Sequence, residues 1–566
     1  MNNTFLSLCF FVIITSCFSQ NNFKKSIETK DSITNHYQQK NYEKAQKLAA
    51  EYLSNNPYDI EAVYLNAQIS YHLKQWPTAI IGFKKSIANG YNIAESKYNM
   101  ACCYALQGNK AEASTWLQSA IDDYPSFYYQ WMEDSDLATL ANDTEYLNQI
   151  YQYDRTANDR VSKWKADIDF FSNRMKQFHY NLFSNIIEEE WDAKILELYN
   201  QVKELNDEEI IVGLMKLSAM AGDGHTTIVP PISDNFNFKM SPFLTYIFDD
   251  GIYILETQKG YEHLLGSKLI SINNMPIDDV LKKIQTIVPS DNKFGNKWLQ
   301  PLVLNIPQLL YGLNIIDKKK EYTITYIKDG KQNMANIKCE TSLTGDFLES
   351  WIYGFHDLEG WSKVNQSKIP SSQTNREKPY WIEYQKESQI VVFHYNQVQT
   401  DENENEAAFI NRLNSFISNN PVKALVVDLR YNEGGDNTIY RPILNGIIGN
   451  EKVNQKDKLY VLIGRRTFSA GMCFATELEK STNATFVGEP TGSSPNFVGE
   501  SGGVFQLPYS GIYANASNLY WQNSFAFDNR KFIAPNMYVE PKFSDYINGI
   551  DASLETIQEY LKISKN

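Results

Sequence analysis

The chain has 566 residues, enough for about three or four domains with sizeable cores. Its formal net charge is −14 and its acidic residues are spread along the chain, which argues against a nucleic-acid partner, since that calls for a basic patch. Aromatic residues make up 13% of it, which excludes global disorder. In chain order, Phe5 to Ile14 is apolar and Thr15 to Gln20 is a small polar exit. This reads as an export signal over residues 1–20, too short to span a bilayer. The expected location is therefore outside the cytoplasm: the bacterial periplasm, the outer membrane as a lipoprotein, or the medium.

Ile14-Thr15-Ser16-Cys17 resembles a bacterial lipobox, which implies a lipid anchor at Cys17 as the one route to a membrane. Ordinary cleavage after Gln20 is the alternative. The remaining cysteines are Cys102, Cys103, Cys339 and Cys473. Their spacing suggests neither zinc nor a disulfide framework, so they read as small buried hydrophobes and no metal or cofactor is expected.

Ala45, Ala79 and Ala113 stand 34 residues apart, each ending a similar phrase such as Asn41-Tyr42-Glu43-Lys44-Ala45. Ala67 and Ala101 precede the last two by twelve. The pattern over 28–127 resembles the tetratricopeptide repeat, with two helices per unit and small residues where they cross. The resemblance implies a protein partner in a concave groove, or plain scaffolding.

Residues 155–235 read as a helical cap. Ile168, Phe171, Met175 and Phe178 mark one apolar face, and Trp191, Ile195, Leu198 and Val202 another. A third helix starts near Asp207 and is stopped by the glycines of Ala221-Gly222-Asp223-Gly224-His225-Thr226. His225 thus stands on a helix-to-strand corner, a good place for a working imidazole, although a lone loop histidine is commonly incidental. From 240 to 340 short strands follow: Phe243–Ile247, Ile252–Leu255, Lys268–Ile272 and Tyr322–Ile327, with a helix from Ile277 to Ile284. Leu265 to Ile277 resembles the core of a PDZ domain.

From 380 to 560 strands and helices alternate, as in α/β architecture. Ala424–Leu429 and Leu459–Ile463 are near-continuous apolar runs, as strands covered on both faces require. Ligands in such sheets bind beyond the carboxyl ends of the strands. Gly434-Gly435 follows one strand and Ser469 another. A serine at a strand-to-helix turn presents its hydroxyl to helix-start amides, the setting an acyl-transfer nucleophile needs. Taken singly, Ser469 is equally a helix cap and Gly434-Gly435 a tight turn.

Asp223-Gly224-His225-Thr226, Asp428-Leu429-Arg430-Tyr431-Asn432-Glu433-Gly434-Gly435, Thr467-Phe468-Ser469-Ala470 and Gly488-Glu489-Pro490-Thr491-Gly492 occur in that order. Together they resemble the tail-specific, or C-terminal-processing, serine peptidase family. The resemblance implies a multidomain α/β chain: an N-terminal α-helical repeat solenoid, a helical cap, a small PDZ-like β module and a crotonase-like α/β peptidase core. It implies Ser469 as nucleophile, an oxyanion hole from Gly434, Gly435 and Ala470, and a peptide or protein substrate.

One departure matters. Many members use a lysine about two dozen residues past the serine as base, and none lies between Lys480 and Lys531 here. Lys480 would sit about 16 Å along a helix from Ser469 at 1.5 Å per residue, out of reach. The tricorn-like branch uses a histidine, from a motif that matches His225. Asp528 stands where that branch places the acid that orients the base, with Glu489 and Asp223 as rivals. The reading is a serine endopeptidase or related hydrolase. The alternative is a catalytically weak peptide- or protein-binding scaffold.

Overall fold

A computed structural model of the chain describes residues 24–563, apart from short stretches between 125 and 155 and residues 233–235, 354–357, 365 and 501. The expected export segment, with Cys17, lies outside the described residues. The chain divides into two units, Met1–Arg155 and Thr156–Asn566.

In the first unit, helices 24–38, Tyr42–Asn55, Ile60–His72, Trp76–Ala88, Ile93–Leu106 and Lys110–Asp123 form three successive hairpins. Ala45, Ala79, Ala101 and Ala113 are fully buried where the helices cross. Ala67 is buried for the same reason: a Cβ added to Gly82 would lie 2.6 Å from its own Cβ. The hairpin turns repeat as well, with left-handed backbone at Lys40 (φ 58), Lys74 (φ 59) and Gly108 (φ 77). After the last hairpin the chain folds back on itself. Tyr98 Oη donates to Asp134 at 2.9 Å, Tyr71 Oη donates to Asp136, and Leu137 is fully buried. The first helices of the second and third hairpins are therefore partly covered by the chain's own segment.

The second unit begins with helices Arg160–Phe178, Glu188–Gln201 and Asp207–Ala219. The apolar face of the first packs on Phe505, whose ring lies 6.0–6.3 Å from those of Phe170, Phe171 and Phe178. The small β module pairs Phe243–Phe248, Gly251–Gln258, Lys268–Ile272, Glu321–Lys328 and Lys331–Lys338 in that order, all antiparallel. The last of these strands escaped the sequence reading. It is an edge strand, exposed except at Ala335 and Ile337, and its apolar alternation is confined to those two residues.

The core sheet runs Met537–Tyr538, Thr485–Gly488, Leu459–Ile463, Ala424–Asp428, Ile390–Tyr395, Tyr380–Gln385. It is parallel except for the last pair. Every residue of the three central strands is buried, because helices cover both faces. Helices Glu406–Asn419, Arg441–Ile448 and Ser469–Ser481 bring Phe409, Ile443, Met472 and Phe474 to one face. Helix Ala552–Ile563 brings Leu554 and Ile557 to the other. Arg430 ties this last helix to the sheet through two contacts to Asp551 at 2.8 Å and one to Asp428 at 2.7 Å. Among the described residues no helix is long and apolar enough to cross a membrane.

The repeating turns generate a prediction. Left-handed backbone costs a side-chain-bearing residue about 1–2 kcal/mol, whereas glycine's freedom in the unfolded chain costs about 0.4–1 kcal/mol. The first effect is larger, so Lys74→Gly should stabilise the protein by about 0.5–1 kcal/mol and Gly108→Lys should destabilise it by a similar amount. Urea unfolding midpoints check both signs.

Candidate active site

Ser469 is the first residue of its helix and has φ 48, a left-handed conformation that is rare for serine. The preceding residue, Phe468, is extended, so the chain turns sharply between strand and helix. The turn is held from beneath. Thr467 Oγ1 donates to Leu429 O at 2.8 Å, and the Phe468 amide donates to Asn432 O at 3.0 Å.

Gly434 lies directly against the serine. A Cβ there would stand 2.6 Å from Ser469 Cβ, 2.9 Å from the Ala470 nitrogen and 3.1 Å from Ser469 Oγ. Gly434 also has φ 119, so only glycine fits. Its own amide, however, donates to Asn432 Oδ1 at 3.0 Å. Gly434 therefore provides space beside the hydroxyl and is not the oxyanion donor expected of it. The Gly435 and Ala470 amides have no protein acceptor among the described residues, and Ala470 opens a helix, where such N–H groups are available.

His225 sits between two rings. Phe468 stacks on it at 4.5 Å and Phe497, from strand Asn496–Gly499, at 5.4 Å. No hydrogen bond joins the imidazole to Ser469 among the described residues. The two groups meet through Phe468, the chain neighbour of the serine. Burial lowers the imidazole pKa below its usual 6.5, while the charges of Asp291, Asp223 and Glu500 act the other way. The neutral, proton-accepting form is favoured.

Asp223 shapes the corner under His225. Its Oδ1 accepts from the amides of His225 at 2.9 Å and Thr226 at 2.7 Å, and from Ser517 Oγ at 3.0 Å. Its Oδ2 lies 2.9 Å from His179 Nε2. The Asn181 amide donates to His179 Nδ1 at 3.1 Å, so the His179 proton sits on Nε2 and is donated to Asp223. Burial acts to raise the Asp223 carboxyl, but the His179 contact and the other donors outweigh it and hold it below the usual range.

The other expected carboxylates are engaged elsewhere. Asp528 accepts from Ser524 Oγ at 2.6 Å and Arg530 Nη2 at 2.7 Å, and Arg530 also holds Glu479. The expectation that Asp528 orients His225 is not met: its side chain is held by Arg530 and the buried Ser524. Glu489 forms a buried, two-pronged pair with Arg465 at 2.7 and 3.0 Å, and Arg465 also donates to Ile247 O of the β module at 2.8 Å. Lys480 is occupied by Glu477 and by the carbonyl of Asn523.

The residue the sequence did not single out is Asp291, between helices Ile277–Gln285 and Lys293–Leu304. Its Oδ1 accepts from the Gly224 amide at 2.8 Å, and its Oδ2 from Ser493 Oγ and from the Ser494 amide at 3.1 Å. Sequence offered little signal for it, since Ser290-Asp291-Asn292 reads as an ordinary helix start. A separate cavity of about 340 Å³ lies beyond the carboxyl ends of the strands, lined by Tyr246, Arg376, Tyr431, Arg466 and Tyr546 among others, and reaches neither Ser469 nor His225.

No family model and no curated protein matches the sequence. Among solved structures, the chain is similar to mature CPAF complexed with lactacystin, with a TM-score of 0.49, 12% identity, and coverage of 72% of this chain and 99% of that one. It is similar to the photosystem II D1 C-terminal processing protease at a TM-score of 0.29 and 12% identity, over 70% of this chain and 99% of that one. It is also similar to the tricorn protease at a TM-score of 0.32 and 13% identity, over 72% of this chain and 37% of that one.

The Arg465–Glu489 pair separates a structural from a catalytic carboxylate. Removing one partner of a buried pair strands the other charge, at a cost of about 3–5 kcal/mol. Glu489→Ala should lower stability by that amount in urea unfolding, while the fraction that remains folded keeps its activity per molecule. Loss of activity with unchanged stability would instead make Glu489 part of the chemistry.

Proposed function

We propose that the chain is an exported serine peptidase that cleaves peptide bonds through an acyl-enzyme on Ser469, with His225 as general base. The observation that carries this reading is the left-handed Ser469 at a helix start, its hydroxyl against Gly434 and the free Ala470 amide beside it. Strained backbone at such a turn persists only where its surroundings over-determine it, and it exposes the hydroxyl to the donors an oxyanion needs.

In the proposed reaction Ser469 Oγ attacks the scissile carbonyl carbon as His225 accepts the hydroxyl proton. The carbonyl oxygen takes the electron pair and is held by the Gly435 and Ala470 amides. Collapse expels the amine, which leaves with the proton from His225. Water then repeats the sequence on the ester and releases the acid. The imidazole must close on the hydroxyl for this, and contacts of this kind commonly tighten once substrate is bound. The absence of a Ser469–His225 hydrogen bond favours a second reading, a catalytically weak peptide-binding scaffold in which the helical array takes a protein partner. A fluorophosphonate probe separates the two, because only an activated serine is labelled.

Ser469→Ala should abolish labelling and hydrolysis with the fold intact. His225→Ala should lower kcat/KM by a factor on the order of 10⁴, and Lys480→Ala should leave it unchanged. The base works when deprotonated, and burial lowers its pKa, so activity should fall only as pH drops below 6.5. An acidic limb above that value would exclude His225 as the base.

The apolar N-terminal segment supports a location outside the cytoplasm, with the protein either lipid-anchored at Cys17 or freed at Asn21. Mass spectrometry of the mature N-terminus should find an acylated Cys17 or a free Asn21. An intact Met1 would refute export.

A further inference from the structure

We propose that Asp291, delivered by the small β module, is the carboxylate that positions His225 and stabilises its protonated form during proton transfer from Ser469. The inference rests on the peptidase reading for its catalytic meaning but not for its geometry. Three charged groups act on His225: Asp291, Asp223 and Glu500. Asp223 spends both oxygens on the backbone corner, on Ser517 and on His179. Glu500 is exposed at the end of strand Asn496–Gly499, where solvent screens its charge.

Asp291 likewise spends both oxygens, on the Gly224 amide, one residue before the imidazole, and on Ser493 and Ser494, but unlike Asp223 it binds no second histidine among the described residues. All three of these partners can donate, which favours the ionised form of the carboxyl group. Burial pushes the Asp291 carboxyl above the usual range, against the Ser493 hydrogen bond and the attraction of His225. A charge kept in such surroundings acts strongly on a neighbouring imidazolium.

The placement links three parts of the second unit. Asn292, next in the chain, caps helix Lys293–Leu304 and donates to Thr491 O at 3.2 Å and Lys531 O at 2.7 Å. Gly295 packs so closely on this loop that a Cβ there would lie 2.8 Å from Gly492 O. The loop Gly488–Ser494, which carries no lysine, thus seats Asp291 against the Gly224 amide. When His225 takes the serine proton, Asp291 keeps its charge. It receives no proton, and its role is to orient the ring and lower the energy of the imidazolium.

The test uses the full chain with ¹³C-labelled histidine, the His225 signal being assigned by its loss in His225→Gln. Asp291→Asn removes the charge, so the His225 titration midpoint should fall by about one pH unit. The acidic limb of kcat/KM should move down with it, and kcat should drop while KM stays nearly constant. A merely structural Asp291 would lower stability and leave the midpoint in place, and that result overturns the proposal. It is equally overturned if Asp528→Asn moves the midpoint and Asp291→Asn does not. If Asp291→Asn fails to fold, Ser493→Ala keeps the carboxyl group and removes a donor that favours its ionised form, so less negative charge faces the imidazole. It should then shift the midpoint downward by less, and no shift counts against the proposal. A shifted midpoint in a chain that neither hydrolyses peptides nor binds the probe would sustain Asp291's placement and refute the peptidase reading.

Discussion

The close approach of the Asn432–Gly435 turn to the start of the Ser469 helix is the constraint on which the rest of the site depends. Asn432 joins the two. Its carbonyl accepts from the Phe468 amide, its side-chain oxygen from the Gly434 amide, and its side-chain nitrogen donates to Tyr395 O at 2.9 Å. Gly471 sits over the same residue, where a Cβ would be 2.4 Å from Asn432 O. Three segments thus meet around one asparagine with no room for a side chain at 434 or 471. Left-handed backbone at Ser469 costs about 1–2 kcal/mol, and this network is what can hold it. Parallel strands make the arrangement possible, because they deliver both turns to the same end of the sheet.

A second constraint is the disposition of charge. Carboxylates near the site have partners of different kinds, and the partner decides the role. Glu489 meets a buried guanidinium and becomes a bridge from the core to the β module. Asp528 meets Arg530, which also holds Glu479, and becomes part of that ion-pair cluster. Asp223 meets backbone amides and His179 and becomes the shape of the corner. Asp291 meets Ser493, Ser494 and the Gly224 amide, which lies one residue along the chain from a ring whose pKa burial depresses. In a medium of low dielectric such differences of partner outweigh differences of residue type.

The helical array follows a simpler logic. Its period is set by small residues at helix crossings and by one left-handed residue per turn, and both recur every 34 residues. Asp134 and Asp136 bind the hydroxyls of Tyr98 and Tyr71, so the array covers part of its own surface with its own chain. Burial raises the pKa of both tyrosines, which keeps them neutral donors to these carboxylates.

What sequence alone determined here is what local pattern encodes. Apolar runs at Ala424–Asp428 and Leu459–Ile463 announce strands buried on both faces, because no polar residue can interrupt them. The positions of Ser469, His225 and the glycine turn were legible because each marks a strand or helix end with residue types suited to exposure. The polar edge strand Lys331–Lys338 was not legible, nor was the short pair Asn496–Gly499 with Leu519–Gln522, which sets Phe497 on His225. Only the tertiary structure decided which amides remain free, since Gly434 and Gly435 differ by the hydrogen bond that the Gly434 amide donates to the Asn432 side chain and not by residue type. Only the tertiary structure brought Asp291 to the Gly224 amide, across 67 residues of chain and a module boundary. A carboxylate's chemistry depends on the charge and donors folded against it, and sequence separation does not encode that contact.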